Sequence, residues 1–200
     1  KDPDVTLGMG VVKALELGYK NFVLSQDTSI SVVKYIKQNG GMVFRSKVGE
    51  ANVTEKMIET KSQVGGEGSS GGFILSDFNY CRDGILTSGL IASIIKKDEF
   101  ADALNFMEKY HIIRDKVEYD SEHHDDILKA LHSKMEEKFD SVETLDGIKA
   151  IVDEDSWALV RKSNTENSIR VSAESNSLEK VRNIHQEIKD LVKESYEQIK

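Results

Sequence analysis

The sequence predicts an α/β protein: a mixed α/β layered domain followed by a small α+β domain with an antiparallel sheet and two helices. Three observations carry that prediction. Through the first half, apolar stripes at helical spacing alternate with short β-rich runs, the rhythm of strands covered by helices. In the second half, three strand-like runs stand too close together for helical crossovers, so short turns must join them and pair them antiparallel. A long apolar stripe at helical spacing closes the chain.

Element by element, Leu7, Val11 and Leu15 recur four apart within residues 5–17, with Val12 and Ala14 beside them, as in a core-facing helix. Residues 21–24 read as a short buried strand. Hydroxyl and carboxylate groups in 25–29 can cap a second helix, where Ile30, Val33 and Ile36 repeat until Asn39, Gly40 and Gly41 stop it. A strand at 42–44 and a helix at 52–60 with Val53, Met57 and Ile58 come next. A glycine-rich loop, a strand at 73–75 and a helix beginning near Asp83 complete this half.

Beyond it, residues 112–119 read as a strand, and Ile127, Leu131 and Met135 mark a helix. Strands are expected around 148–152, 157–161 and 168–174. The closing helix carries Leu178, Val181, Ile184, Ile188, Leu191 and Ile199. The change of pattern at 108–111 divides the chain into domains 1–108 and 109–200.

Composition narrows the function. Of the 200 residues, 35 acids against 27 bases leave a net charge of −8, which argues against a nucleic-acid partner needing clustered surplus Lys and Arg. The most apolar stretch, 89–95, falls far short of the roughly 20 residues that span a bilayer, so no membrane partner is expected. A single cysteine, Cys81, and an opening without a signal-peptide pattern favour a reducing, cytoplasmic setting. The opening residue is Lys1, not methionine, which fits a piece of a longer chain.

Two segments stand out chemically. In GGEGSSGG, 65–72, glycines permit close backbone approach, while Glu67, Ser69 and Ser70 supply acceptors and donors suited to sugar hydroxyls. A flexible linker is the plain alternative. No Lys-Ser/Thr pair follows Gly71, and Gly8-Met9-Gly10 lacks a third glycine and a preceding strand, so neither familiar nucleotide loop fits. In RKSNTENSIR, 161–170, Arg161 and Arg170 flank a turn holding Ser163, Asn164 and Thr165. Two guanidinium forks, two hydroxyls and turn N–H groups match the donor-only demand of a phosphate dianion. Spacing alone leaves this clamp and an ordinary polar hairpin equally open.

Three further features carry less. His123-His124-Asp125-Asp126 stands where a helix N-terminus gathers polar residues, so capping is expected over metal binding. Asp2-Pro3-Asp4 lacks a third nearby acid and is expected to be a mobile chain end. Cys81 has no nearby histidine to activate it and is expected to pack structurally.

Taken together, KVGEANVTEKMIE (47–59), GGEGSSGG (65–72), CRDGIL (81–86), LDGIKA (145–150) and WALVRKSNTENSIRV (157–171) make the chain resemble the C-terminal half of an α-D-phosphohexomutase. This is the family of phosphomannomutases, phosphoglucomutases and phosphoglucosamine mutases, and the blocks occur in the family's order. The resemblance implies the third and fourth of four domains. It places sugar recognition on Glu67 and Ser69, and binding of the phosphate not being transferred on Arg161, Ser163, Asn164, Thr165 and Arg170. Arg45, Lys47 and Glu50 face the substrate cleft in relatives.

Departures from the family pattern matter too. The sugar loop has one residue more than Gly-Glu-x-Ser-Gly-Gly, so the contact is either Ser69 or Ser70, and Asn167 replaces a usual proline. The family's phosphoserine and its Asp-x-Asp-x-Asp-Arg magnesium loop belong to preceding domains. No catalytic or metal residue is therefore assigned here, and Mg2+ is expected only in a full-length enzyme. The resemblance implies interconversion of hexose 1-phosphate and hexose 6-phosphate through a bisphosphate, with hexose phosphate and the N-terminal domains as partners. The isolated chain is expected to be inactive. A non-catalytic α/β interaction module is the alternative.

Overall fold

The computed structural model describes residues 2–119 and 121–200, Ser121 by its backbone alone. Two compact units emerge, Lys1–Lys109 and Tyr110–Lys200.

In the first unit the chain runs α1 (Pro3–Glu16), β1 (Asn21–Ser25), α2 (Ile30–Gln38), β2 (Met42–Ser46), α3 (Glu50–Thr60), β3 (Val64–Glu67), β4 (Gly72–Leu75), α4 (Gly84–Ile94) and α5 (Asp98–Met107). The sheet order is β2-β1-β3-β4, with β1 parallel to both β2 and β3, and β4 antiparallel to β3. Helices cover both faces. Phe22 and Leu24 of β1 pack with Leu7, Val11, Val32 and Ile36 on one side, while Val23 meets Val53 and Met57 of α3 on the other. A strand buried on both faces reads as a continuous apolar run, which is why Phe22, Val23 and Leu24 are all fully buried. Each such side chain contributes about 1.5–3 kcal/mol.

The second unit runs β5 (His111–Val117), α6 (His124–Lys138), β6 (Ser141–Glu143), β7 (Ile148–Asp153), β8 (Ser156–Lys162), β9 (Ile169–Ser175) and α7 (Leu178–Ile199). Its sheet is antiparallel throughout, in the order β5-β9-β8-β7-β6. Ile127, Leu131 and Met135 of α6 and Val181, Ile184, Ile188 and Val192 of α7 share a core with Ala158, Val160, Val171 and Ala173. Alternation along β8 and β9 sends these small apolar residues to the helices and Arg161 and Arg170 to the opposite face.

Several expectations need correction. Half of the stretch read as a glycine-rich loop is strand: β3 holds Gly65, Gly66 and Glu67, Gly72 opens β4, and Gly68–Ser70 forms a 3-10 turn between them. A side chain at Gly65 would run into Met57, and one at Gly66 into Leu7, so the glycines let α3 and α1 close on both faces of β3. Helix α5 and the three-residue strand β6 are additional elements. On α7, Leu178 is exposed, and the buried stripe includes His185 and Ser195 instead. Residues Asp2, Pro3 and Asp4 are not a mobile end but the start of α1, Asp2 capping the Asp4 N–H at 3.0 Å. At α6 no side chain caps: Asp125 and Asp126 lie in the first turn, where acids complement the helix dipole. His124 Nε2 instead lies 2.9 Å from the Tyr119 carbonyl. Cys81 is half-buried, not packed in a core.

Candidate functional site

In open α/β sheets the crevice for a ligand lies beyond the carboxyl ends of parallel strands, where successive connections leave in opposite directions. In the first unit that point is between β1 and β3. Strand β1 ends at Ser25 and leads into a hydrogen-bonded turn: Ser25 Oγ donates to Asp27 Oδ1 at 2.7 Å and lies 2.8 Å from Thr28 Oγ1. Strand β3 ends at Glu67, and the next N–H, of Gly68, donates to Thr28 Oγ1 at 3.0 Å. Asp4, almost fully buried at the start of α1, accepts from the Ser29 N–H at 2.7 Å. A Cβ at Gly68 would overlap that same Asp4 carboxylate. The turn after β3 is thus locked onto the turn after β1 and onto α1.

This lock fixes the candidate sugar residues. Glu67 is buried, with Oε1 4.0 Å from Arg82 Nη1. Ser70 is exposed, and its hydroxyl donates back to the Glu67 carbonyl at 3.1 Å. Ser69 is half-buried and, among the described residues, its hydroxyl makes no hydrogen bond. Strand β2 delivers Lys47, exposed just past its end, and then Glu50 at the first position of α3. Arg45 is held by backbone: Nη1 donates to the Ser25 carbonyl at 2.8 Å and to that of Thr28 at 3.4 Å.

In the second unit, Arg161 of β8 stands opposite Arg170 of β9 in register. The connection is self-bonded: the Ser163 N–H donates to the Ser168 carbonyl at 2.9 Å, and the Glu166 N–H to Ser163 Oγ at 3.2 Å. Asn164 and Thr165 are exposed at its tip. Arg161 donates from Nη1 to the Lys162 carbonyl at 2.9 Å, with Nε 4.0 Å from Asp146 Oδ2. Arg170 Nη2 donates to Glu166 Oε2 at 2.9 Å. Among the described residues, no group of three or more His, Cys, Asp or Glu is placed to hold a metal ion, and no helix is long and apolar enough to cross a membrane.

Two family models divide the chain in the same order. The model described as phosphoglucomutase/phosphomannomutase, alpha/beta/alpha domain III, matches residues 2–110, and that described as phosphoglucomutase/phosphomannomutase, C-terminal domain, matches residues 117–191. The chain belongs to the phosphoglucomutase/phosphomannomutase family. Among its curated relatives, a protein of Methanopyrus kandleri named "Probable phosphoglucosamine mutase" is 29% identical over 187 residues, covering 92% of this chain and 41% of its own length. A phosphoglucomutase/phosphomannomutase of Thermococcus kodakarensis is 36% identical over 152 residues, covering 73% and 32%. The crystal structure of a phosphoglucomutase/phosphomannomutase family protein from Burkholderia thailandensis shares the fold, with a TM-score of 0.77 at 21% identity, covering 96% of this chain and 42% of its own. The chain spans between about a third and two fifths of the length of the curated relatives it matches.

Three residues of this phosphoglucomutase/phosphomannomutase chain escaped the sequence reading. Arg82, from CRDGIL, reaches the Glu50 and Glu67 carboxylates. Asp146, from LDGIKA, and Glu166, inside the turn itself, each stand beside one of the two arginines. Arg82 and Asp146 meet their partners across 15 or more positions, which no local spacing reveals, whereas Glu166 is only four positions from Arg170 and was legible as a local charge pair.

Proposed function

We propose that this chain is the substrate-recognition half of a phosphohexomutase that interconverts hexose 1-phosphate and hexose 6-phosphate. Residues 1–108 serve as its sugar-reading domain and 109–200 as its phosphate-holding domain. Arg161 and Arg170, with Ser163, Asn164, Thr165 and the turn N–H groups, hold the phosphate not being transferred. Glu67 accepts from sugar hydroxyls and Ser69 adds a second polar contact; Ser69 is favoured because the Ser70 hydroxyl is engaged by the loop's own backbone. Lys47 and Glu50 complete the cleft edge. The chemical step, its phosphoserine and its Mg2+ belong to preceding domains, and the residues of this chain bind and orient the substrate. A reducing cytoplasm suits the lone Cys81.

The observation that carries this reading is the register pairing of Arg161 with Arg170 across a hydroxyl-rich turn. A non-catalytic interaction module is the second reading, favoured by the acidic neighbours Asp146 and Glu166, which would leave two ordinary paired arginines. Turnover and titration of glucose 1-phosphate with the full-length protein and its Arg161→Ala form separate the two. The first reading expects turnover in the parent and weakened binding in the variant, whereas the second expects neither. Turnover by the 200-residue chain alone would contradict the division of labour.

A further inference from the structure

We propose that Arg82 is a positioning residue that clamps Glu50 and Glu67 together over the turn after β3, so that a sugar meets this corner with one net negative charge instead of two. The proposal rests on the sugar-reading role given to Glu67 above.

Three separate elements converge on this guanidinium. Arg82 Nε is bonded to a Glu50 carboxylate oxygen at the start of α3, and Nη1 lies 4.0 Å from Glu67 Oε1 at the end of β3. Its stem lies flat on the residue that opens β4: a Cβ at Gly72 would overlap Arg82 Cδ, and Arg82 Cγ is 2.7 Å from that position. The backbone around Arg82 is pinned on both sides. Thr54 Oγ1 donates to the Tyr80 carbonyl at 3.2 Å, the Asp83 N–H donates to the Phe73 carbonyl at 3.2 Å, and Asp83 caps α4 through the Leu86 N–H at 2.7 Å. The guanidinium is therefore delivered by a fixed segment, which is what a positioning role requires.

Glu50 and Glu67 both approach this one guanidinium, and carboxylates brought toward a common point repel unless a cation joins them. Arg82 does so from the protein surface, its own side chain 40% exposed, while that of the Glu67 beneath it is 12% exposed. With the arginine present, the corner suits neutral hydroxyls; without it, the extra negative charge favours a ligand bearing an ammonium group.

The test uses the full-length protein that carries this chain, with Arg82→Gln, Arg82→Lys and Glu67→Gln. Arg82→Gln is expected to raise KM for glucose 1-phosphate about tenfold, leave kcat within about threefold, and shift relative kcat/KM toward glucosamine 1-phosphate about three- to tenfold. Arg82→Lys, which keeps the charge, is expected to restore most of the loss. If Arg82→Gln matches the parent while Glu67→Gln is impaired, the proposal fails and the sugar-reading role stands. Equal losses in Arg82→Gln and Arg82→Lys with a lowered melting temperature would reduce Arg82 to packing and also overturn it. If Glu67→Gln itself matches the parent, the sugar-reading role fails and takes the proposal with it.

Discussion

Arg161 and Arg170 face each other across β8 and β9, and each lies beside an acid delivered from a turn, Asp146 and Glu166 respectively. The side chains of Arg170 and Glu166 are 35% and 46% exposed, whereas those of Arg161 and Asp146 are 15% and 18% exposed at a loose 4.0 Å. A phosphate dianion binding here has to displace one weak, partly solvated pair and one more buried but longer contact. Replacing either arginine with alanine is expected to weaken glucose 1-phosphate binding about ten- to a hundredfold, the worth of a charge-assisted contact. The double variant should lose less than the product of the two, because both act on one ligand group. Calorimetric titration of the full-length protein checks both expectations, and unchanged affinity in both single variants would remove the clamp.

Gly68 and Asp4 form the tightest part of the lock in the first unit. Any side chain at Gly68 must displace the Asp4 carboxylate or the Thr28 backbone. Gly68→Ala is therefore expected to cost about 1–3 kcal/mol through overpacking. Asp4→Ala is expected to cost a similar amount, about 1–3 kcal/mol, by orphaning the buried Ser29 N–H. Urea unfolding of the 200-residue chain measures both. An unchanged midpoint in either variant would mean that the turn after β3 holds its place without this contact.

Periodicity made most of the architecture legible. Val23, Val53 and Met57, or Leu131 and Val181, are apolar at the spacing their elements demand, and they meet in the cores. What escaped was set by contact at a distance. Gly65 and Gly66 look like loop residues because glycine usually breaks strands, yet here they admit Met57 and Leu7. Asp4 looked like part of a loose end because its partner, Ser29, lies 25 positions away. In the candidate site, Glu67, Arg161 and Arg170 stood out locally and Glu166 lies only four positions from Arg170, but Arg82 and Asp146 acquire meaning only once the fold brings them to Glu67 and Arg161.

His185 makes the second unit sensitive to pH. It lies in the buried stripe of α7, 8% exposed, and its Nε2 has no hydrogen-bond partner among the described residues. Burial pushes the imidazole below its ordinary 6.5 and Lys189 adds to the push, while Asp115 of β5, paired with Lys189 at 2.7 Å, opposes it. The folded state therefore prefers neutral His185, and the unfolded chain binds the proton more readily. Its contribution to stability is complete above about pH 6.5 and is lost as pH falls through the depressed folded value. Asp115 is itself held below its ordinary 3.8 by Lys189, so its own loss belongs to a separate, more acidic window. Thermal melts of the chain should show a midpoint that drops below about pH 6.5, with the drop flattened in His185→Leu. An identical slope in parent and variant would assign the sensitivity elsewhere.

Gly89 offers a test with the opposite sign. It lies inside α4 on the exposed side, one turn beyond Ile85, which is 89% exposed, and among the described residues nothing but its chain neighbours and the helix's own backbone lies within 4 Å of where its Cβ would stand. Glycine within a helix costs about 1 kcal/mol relative to alanine, chiefly through backbone entropy, and nothing in these residues offsets that cost. Gly89→Ala should therefore stabilise the 200-residue chain by about 0.5–1 kcal/mol, read as a higher melting temperature. The same substitution in the full-length protein is the sharper measurement. If it stabilises there as well, the α4 surface is free in the whole molecule. A loss of stability there, set against a gain in the shorter chain, would mean that something packs against Gly89 too closely for even a methyl group.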